Sequence, residues 1–337
     1  MKIAFVINQT HKETARFTTT LLALKAHQMG HEVYYIGLAD FYYESAYIAA
    51  HVRKVMPDQM LTSADRFMEV LRETEKTKVS LEEMDVVWLR FDPVLDMVSR
   101  PWAGASALQF ASFLKAKGVL VINDPDSLGR ASNKLYLEEF DESIRPKTIV
   151  TRNYADVVRF FEQQNSLIIL KPLKGSGGKN VFLINKDNQQ NLKQTVEAIA
   201  RDGYVIGQEY LPEAARGDIR FFLLNGEPIL INGKYAAVHR VQQGDEIRSN
   251  VHQGAKTQGA VISAELLGMV DKIKDKLIQD GMYFVGLDVV GNRIMEINVF
   301  SPGALCQAEE ILKEDFSGFI INKLEEKLAF SKKLSLK

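Results

Sequence analysis

Between Gly286 and Gly303 the chain reads GLDVVGNRIMEINVFSPG, which sets an aspartate, a glutamate and an asparagine inside two short apolar runs. Asp288 lies between Leu287 and Val289, while Glu296 and Asn298 alternate with Met295, Ile297 and Val299. Carboxylates in such surroundings cost free energy unless a cation pairs with them. A hairpin pairs residues whose numbers have a constant sum. A two-residue Gly291-Asn292 loop would set Asp288 opposite Met295 and turn Glu296 to the other face. A three-residue loop, Gly291-Asn292-Arg293, sets Asp288 opposite Glu296, with Asn298 on the same face by the period of two. Only the odd loop gathers the three oxygen ligands, so an odd turn and a Mg²⁺ site beside phosphates are expected. The competing reading is a buried ion-pair network in which Asp288 and Glu296 meet arginines.

A second chemical segment, IILKPLKGSGGKNVFLI, reads as strand, lysine, glycine-rich loop and strand. Gly175, Gly177 and Gly178 allow close backbone approach, so several N–H groups can converge on a phosphate. It is not the usual P-loop, because Lys171 precedes the glycines and a strand follows them. The dinucleotide fingerprint also fails, since it needs a following helix. Taken alone, the loop could be no more than a turn.

These groups must be positioned by the rest of the chain. KIAFVIN, the helical spacing of Phe17, Leu21 and Leu24, and HEVYYIG form a strand–helix–strand unit, which implies parallel strands with a right-handed crossover. MDVVWLRFDP reads as a strand running into a loop, ALQFASFLKAKG as a helix, and VLVIND as a further strand. Residues 41–82, aromatic and then highly charged, resist assignment. Two short helices with Asp and Ser caps follow in NDPDSLGRASNKLYLEEF. Strands then come as hairpins, with Asn225-Gly226 as the strongest turn signal. A helix over 264–280 and a closing helix in AEEILKEDFSGFIINKLEEKL complete the reading. The fold class expected is α/β, α+β in its later part: an N-terminal α/β domain (1–124) and two α+β subdomains (125–206 and 207–330).

Bulk properties narrow the function. The 337-residue chain can bury two or three packed units. Its 42 basic and 43 acidic side chains argue against nucleic acid or an anionic membrane as the main partner. Cys306, the single cysteine, excludes an internal disulfide and a multi-cysteine zinc site, and is read as a small buried apolar group. MKIAFVINQT is too short in apolar residues for a signal-peptide core, and no run approaches a membrane span. The expectation is a soluble, cytoplasmic, reduced protein.

In order along the chain, Lys134, Lys171 with its glycine loop, IGQEYLP, GDIRFFLLNGEPI and Asp-x7-Glu-x-Asn resemble the ATP-grasp superfamily, and within it the prokaryotic glutathione synthetases. The likeness runs from the first strand to about residue 302, through ASNKLYLEEF, PKTIVTRN, IILKPLKGSGG and FVGLDVVGNRIMEINV. It implies an N-terminal domain followed by an ATP-grasp fold that grips ATP. It implies Lys134 and Lys171 on the phosphates, under the backbone of Gly175, Ser176, Gly177 and Gly178. Gln208, Glu209, Tyr210 and Leu211 would form the adenine hinge, with Asp218 near the ribose. Arg220 and Arg240 would face the γ-phosphate, and Arg248, in a lid over 240–259, the tetrahedral oxyanion. Asp288, Glu296 and Asn298 would hold magnesium, two ions by expectation, with Mn²⁺ as a substitute. Arg90, Asn250 and Ser301 would contact substrate. Each has a plainer competitor: Lys134 as a solvated helix residue, Tyr210 as core, Arg220 with Asp218 as a structural salt bridge.

The implied reaction makes glutathione, ADP and phosphate from γ-glutamylcysteine, glycine and ATP. A carboxylate acylates no amine in neutral water; phosphorylated to an acyl phosphate, it does. Phosphate and carboxylate repel, by roughly 4 kcal/mol for two unit charges about 4 Å apart at an effective dielectric near 20, so cations must offset several such contacts. The intermediate must also be kept from water. Three departures concern substrate rather than ATP: Phe300-Ser301-Pro302-Gly303 replaces Thr-Ser-Pro-Thr, VLDMVSRPWAGASALQF lacks a tyrosine-rich segment, and HQGAK alters the lid at Ala255 and Lys256. A sister ligase joining another carboxylate and amine, and a nucleotide-binding module without turnover, therefore stand beside the main reading. The resemblance further implies a homo-oligomer, dimer or tetramer, with small-molecule partners.

Overall fold

The computed structural model describes residues 1–56, 60–175, 178–241 and 256–335. The parallel strands Glu32–Gly37, Lys2–Ile7, Val86–Leu89 and Leu120–Ile122 lie side by side in that order, as the strand–helix–strand reading implied. Ile3 to Ile7 are buried without alternation because both faces of the sheet are covered. The helix Thr18–Gln28 stops before Gly30, whose φ of +84° suits glycine.

The unassigned region 41–82 contributes the other half of this sheet. Phe41–Glu44 and Tyr47–Val55 form a hairpin, Tyr47–Val55 pairs antiparallel with Glu32–Gly37, and Thr77–Ser80 lies against its outer part. The turn between the first two uses Ser45 and Ala46 at φ +50° and +68°. Neither residue type marks a left-handed turn, so the hairpin carried no sequence signal.

Four antiparallel strands follow, in the order Phe182–Ile184, Ile168–Pro172, Val205–Glu209, Thr148–Thr151. The helices Tyr154–Gln163 and Leu192–Ala200 pack on them, and Val157, Phe160, Leu170, Val196 and Val205 form a core that belongs to this unit alone. The last sheet runs Lys256–Gly259, Ala237–Val241, Asp218–Leu224, Phe284–Val290, Arg293–Asn298. Asn225-Gly226 makes the expected two-residue turn, both residues at positive φ.

The N-terminal sheet and this last sheet share their cores. Ala4, Val6 and Leu89 pack with Phe221 and Leu287, and on the other side Phe5 and Trp88 pack with Phe222 and Phe284. Asn123, at the end of the last parallel strand, donates to the carbonyls of Phe284 (3.0 Å) and Val299 (2.6 Å) and accepts from the Phe284 N–H (2.9 Å).

Two expectations need correction here. The second of the two short helices after residue 124 is a 3-10 turn, Lys134–Glu139, and its cap is Asn133, which accepts from Leu135 N–H at 2.9 Å. The closing helix is two helices, Leu305–Leu312 and Phe316–Ser335. Lys313 at φ +56° ends the first, and the Asp315 carboxylate takes the Gly318 N–H (2.9 Å) to start the second.

Candidate active site

The hairpin of Asp288 and Glu296 has a two-residue turn: Val290 pairs with Arg293 across Gly291-Asn292, so the expected odd turn is wrong. Yet Asp288 does pair with Glu296 and Gly286 with Asn298, because Val289 pairs with Ile294 and Met295 bulges out as the unpaired residue. The one-residue offset sits in a β-bulge instead of the turn, and returns Glu296 and Asn298 to the face of Asp288.

Cross-strand register extends that face into a row of charges. Asp288 lies opposite Arg220 on its other side, and Asp218, two residues before Arg220, lies opposite Arg240. Arg220 grips Asp288 with two bonds (2.6 and 3.0 Å), Arg240 grips Asp218 likewise (2.6 and 2.7 Å), and Arg240 also reaches Asp288 at 2.9 Å. Gly217, at φ +95°, makes room for this: a Cβ there would lie 2.0 Å from the Arg240 carbonyl oxygen. Burial favours a neutral Asp288, but Arg220 and Arg240 outweigh it and hold the carboxyl far below the usual range. Burial likewise opposes the Arg240 charge, and Asp288 and Asp218 overcome it, keeping the guanidinium firmly protonated. Asp288 therefore meets arginines, as the competing reading had it.

Glu296 differs. Its side chain is 39% exposed, and among the described residues its ion-pair partner is Lys134, at 3.8 Å. Asn298 sits beside Asp288, with its amide nitrogen 3.3 Å from Oδ2. Glu296 and Asn298 thus offer hard oxygen donors to a cavity, with Asp288 adjoining them although its oxygens are engaged by Arg220 and Arg240, a set that fits Mg²⁺ completed by water and phosphate oxygens. Among the described residues no closed cluster of three or more His, Cys, Asp or Glu would cage a metal alone.

That cavity, of about 250 Å³, gathers the expected nucleotide residues. Lys134, Lys171, Gly175 and Gly178 line one part, Gln208, Glu209, Tyr210 and Leu211 the hinge, and Asp218, Arg220, Arg240, Asp288, Glu296 and Asn298 the floor. Lys171 donates to Gln208 Oε1 at 2.9 Å, and Gln208 in turn donates to the Thr148 hydroxyl at 3.2 Å. Burial, and then the nearby Lys134 charge, lower the Lys171 ammonium to about 8. Lys134 donates to the Gly175 carbonyl and so ties the 3-10 turn to the glycine loop. Ser176, Gly177, Arg248 and Asn250, with Ala255 and most of the expected lid, lie outside the described residues.

A second cavity, of about 230 Å³, adjoins the first and shares Arg220, Arg240 and Asn298 with it. Arg90 and Ser301 line it, as does Gly303 of the departing Phe300–Gly303 segment, together with Asn8, Glu13 and Thr19, which sequence reasoning missed. Arg90 is buried; it bonds the Thr19 hydroxyl (3.2 Å) and the Pro302 carbonyl (3.1 Å), while Arg220 bonds the Gly303 carbonyl (2.9 Å). Phe300 turns its ring onto Phe91, edge-on at 5.3 Å between centroids, and is absent from this cavity's lining. Cys306 is buried, and burial pushes its thiol up to about 12, which suits an apolar filler.

A family model for the prokaryotic glutathione synthetase N-terminal domain matches residues 1–129, and one for the ATP-grasp domain of the same enzymes matches residues 133–313. The chain is 29% identical over 336 residues to glutathione synthetase of Salmonella typhimurium, covering 98% of this chain and 99% of that protein. It is 30% identical over 313 residues to glutathione synthetase of Escherichia coli O127:H6, covering 91% and 92%. Among solved structures, D-cycloserine synthetase DcsG superposes with a TM-score of 0.66 at 14% identity, covering 97% of this chain and all of that one. The ATP-grasp ligase PsnB, solved with a minimal precursor, Mg and ADP, gives a TM-score of 0.59 at 15% identity over 98% of each chain. These two show a shared fold. With its N-terminal and ATP-grasp parts both matched, the chain belongs to the prokaryotic glutathione synthetase family.

Proposed function

We propose that two joined cavities divide the work of an ATP-dependent, ADP-forming carboxylate–amine ligase that makes glutathione from γ-glutamylcysteine and glycine. The observation that carries this is the shared floor: Arg220, Arg240 and Asn298 line both the cavity of Lys171 and Glu296 and the cavity of Arg90. A phosphoryl group in one and a carboxylate in the other would meet over those side chains.

Lys134 and Lys171 take the ATP phosphates, with N–H groups of the loop around Gly175 and Gly178. Gln208 fixes the direction of the Lys171 ammonium. Tyr210 packs on adenine, Glu209 and Leu211 offer backbone groups, and Asp218 lies toward the ribose. Glu296, Asn298 and Asp288 would hold Mg²⁺, as two ions or with Mn²⁺ in their place, and the bound cation would supply neutralising charge at the transferring phosphoryl group. Asp288 anchors Arg220 and Arg240, so both guanidinium groups are oriented before any substrate arrives. They offset the repulsion between γ-phosphate and donor carboxylate while the acyl phosphate forms. Arg90 binds the donor, Ser301 and Asn250 contact substrate, and Arg248 stabilises the oxyanion as glycine attacks.

The test is phosphate release with ATP and Mg²⁺, with γ-glutamylcysteine present, with and without glycine, and mass spectrometry of the product. Release that needs both, with glutathione formed, is the expected result. ATP binding without release would overturn this substrate pair in favour of a ligase for another carboxylate and amine. We also infer assembly into dimers or tetramers in the cytoplasm, with light scattering as the check on the assembly.

A further inference from the structure

Glu13, in HKETARF, was not a candidate from sequence. The structure buries it, at 7% exposure, in the wall of the second cavity. A 3-10 turn, Thr10–Lys12, delivers it there, and Arg72 pins its backbone by donating to the Glu13 carbonyl at 2.6 Å. Its Oε2 is buried and accepts no hydrogen bond. Arg90, in the same wall, is 2% exposed and spends two of its nitrogens on Thr19 and Pro302. Its third nitrogen, Nη1, is buried without an acceptor.

A built site is thus left with one unmet acceptor and one unmet donor, and buried polar atoms are seldom left so without a purpose. A simple carboxylate would satisfy Arg90 and repel Glu13. A simple amine would do the reverse. An α-amino acid head, whose ammonium and carboxylate sit on one carbon, satisfies both, and its opposite charges leave the pocket's net charge unchanged. The same cavity extends to Arg220, Arg240 and Asn298, so a molecule with such a head at one end could hold a second carboxylate at the reaction floor.

We propose that Glu13 is a specificity-determining residue of the donor pocket: it accepts the α-ammonium of the donor's amino-acid head while Arg90 Nη1 donates to its α-carboxylate. This rests on the reading of the second cavity as the donor site, and narrows the donor class to compounds with a free α-amino acid head at the end remote from the reacting carboxylate. Burial raises the Glu13 carboxyl to about 7 against the opposing pull of Arg90, a cost that a bound ammonium removes.

The experiment compares γ-glutamylcysteine with glutarylcysteine, which lacks only the α-amino group, in the full-length wild-type chain and in Glu13→Gln, with ATP, Mg²⁺ and glycine. Wild type is expected to prefer γ-glutamylcysteine by about 10²-fold or more in kcat/KM, because a site built around a charged hydrogen bond rejects the analogue that lacks it. Glu13→Gln should narrow that preference to within about threefold and leave KM for ATP and for glycine unchanged. A wild type that forms glutathione but uses both donors equally overturns the proposal with no variant needed. An unchanged preference in Glu13→Gln, or a change confined to KM for glycine, overturns it as well, and leaves glutathione synthesis standing. A wild type that makes no glutathione removes the donor reading itself and this proposal with it.

Discussion

Lys171, Gln208, Arg220, Asp288 and Glu296 sit on strands, where register fixes neighbours two residues at a time, and they make up much of the cavity proposed for the nucleotide, joined by Lys134, Gly175, Gly178, Tyr210 and Leu211 from turns and loops. Its partner is assembled otherwise. Glu13, Arg90, Ser301 and Gly303 all lie beyond strand or turn ends, brought together from the two termini of the chain and from the end of the third parallel strand. The cavity proposed for the nucleotide therefore rests more on strand pattern, and the one proposed for the donor on long-range packing. Substitution should be felt as lost chemistry in the first and as altered choice of substrate in the second.

The largest expected effect is at Asp288. Asp288→Asn leaves Arg220 and Arg240 without their shared counter-charge, which should cost about 3–5 kcal/mol by chemical denaturation and lower turnover at least 10³-fold. A stable, active Asp288→Asn protein would break the comparison at its root. Next comes Arg90→Lys, which keeps the charge but not the fork. A loss of about 10²-fold in kcat/KM for the donor is expected, with KM for ATP unchanged in steady-state kinetics. A rise in KM for ATP would show that the two cavities are not separable.

Lys171 sharpens the nucleotide side through pH. Its folded value near 8 lies below its ordinary 10.5, so the fold favours the neutral amine. That stabilisation is complete above 10.5 and is lost as pH falls through 8, so at pH 7 the charged lysine opposes folding until phosphates arrive. Calorimetry at pH 8 in buffers of different ionisation enthalpy should show proton uptake on ATP binding. Lys171→Met should remove that uptake, weaken ATP, and raise the melting temperature of the ligand-free protein at pH 7. The smallest change is expected from Phe300→Thr: less than tenfold in kcat/KM for glycine or donor, with about 1–3 kcal/mol of stability lost where the ring leaves Phe91.

On the nucleotide side, the glycine loop after Lys171 and the set of Asp288, Glu296 and Asn298 were legible because strand alternation and glycine placement are local, whereas Lys134, the hinge, Asp218, Arg220 and Arg240 could be named only by resemblance. The pairing of Asp288 with Glu296 was foreseen for the wrong reason: the odd residue is the bulged Met295, and nothing in its side chain announces a bulge. The hairpin at Ser45-Ala46 escaped because residues without a left-handed preference are held there by the sheet around them. Arg90 could be named only by resemblance, and Glu13 by nothing. A loop glutamate becomes a buried one through contacts with residues such as Arg72, far along the chain, and no spacing records that.

Asn123 reaches both Phe284 and Val299 with one amide, across two sheets that already share their cores. Mechanically, that makes the proposed donor pocket and the hairpin of Asp288 and Glu296 a single frame, with Asn123 as a rivet through it. The four-stranded sheet, with a core of its own, is the separate jaw. Were that jaw to swing during nucleotide exchange, the frame would keep its shape. A donor seated between Glu13 and Arg220 would ride through that motion undisturbed, leaving the order in which ATP and donor arrive free of any need to rebuild the donor's own seat.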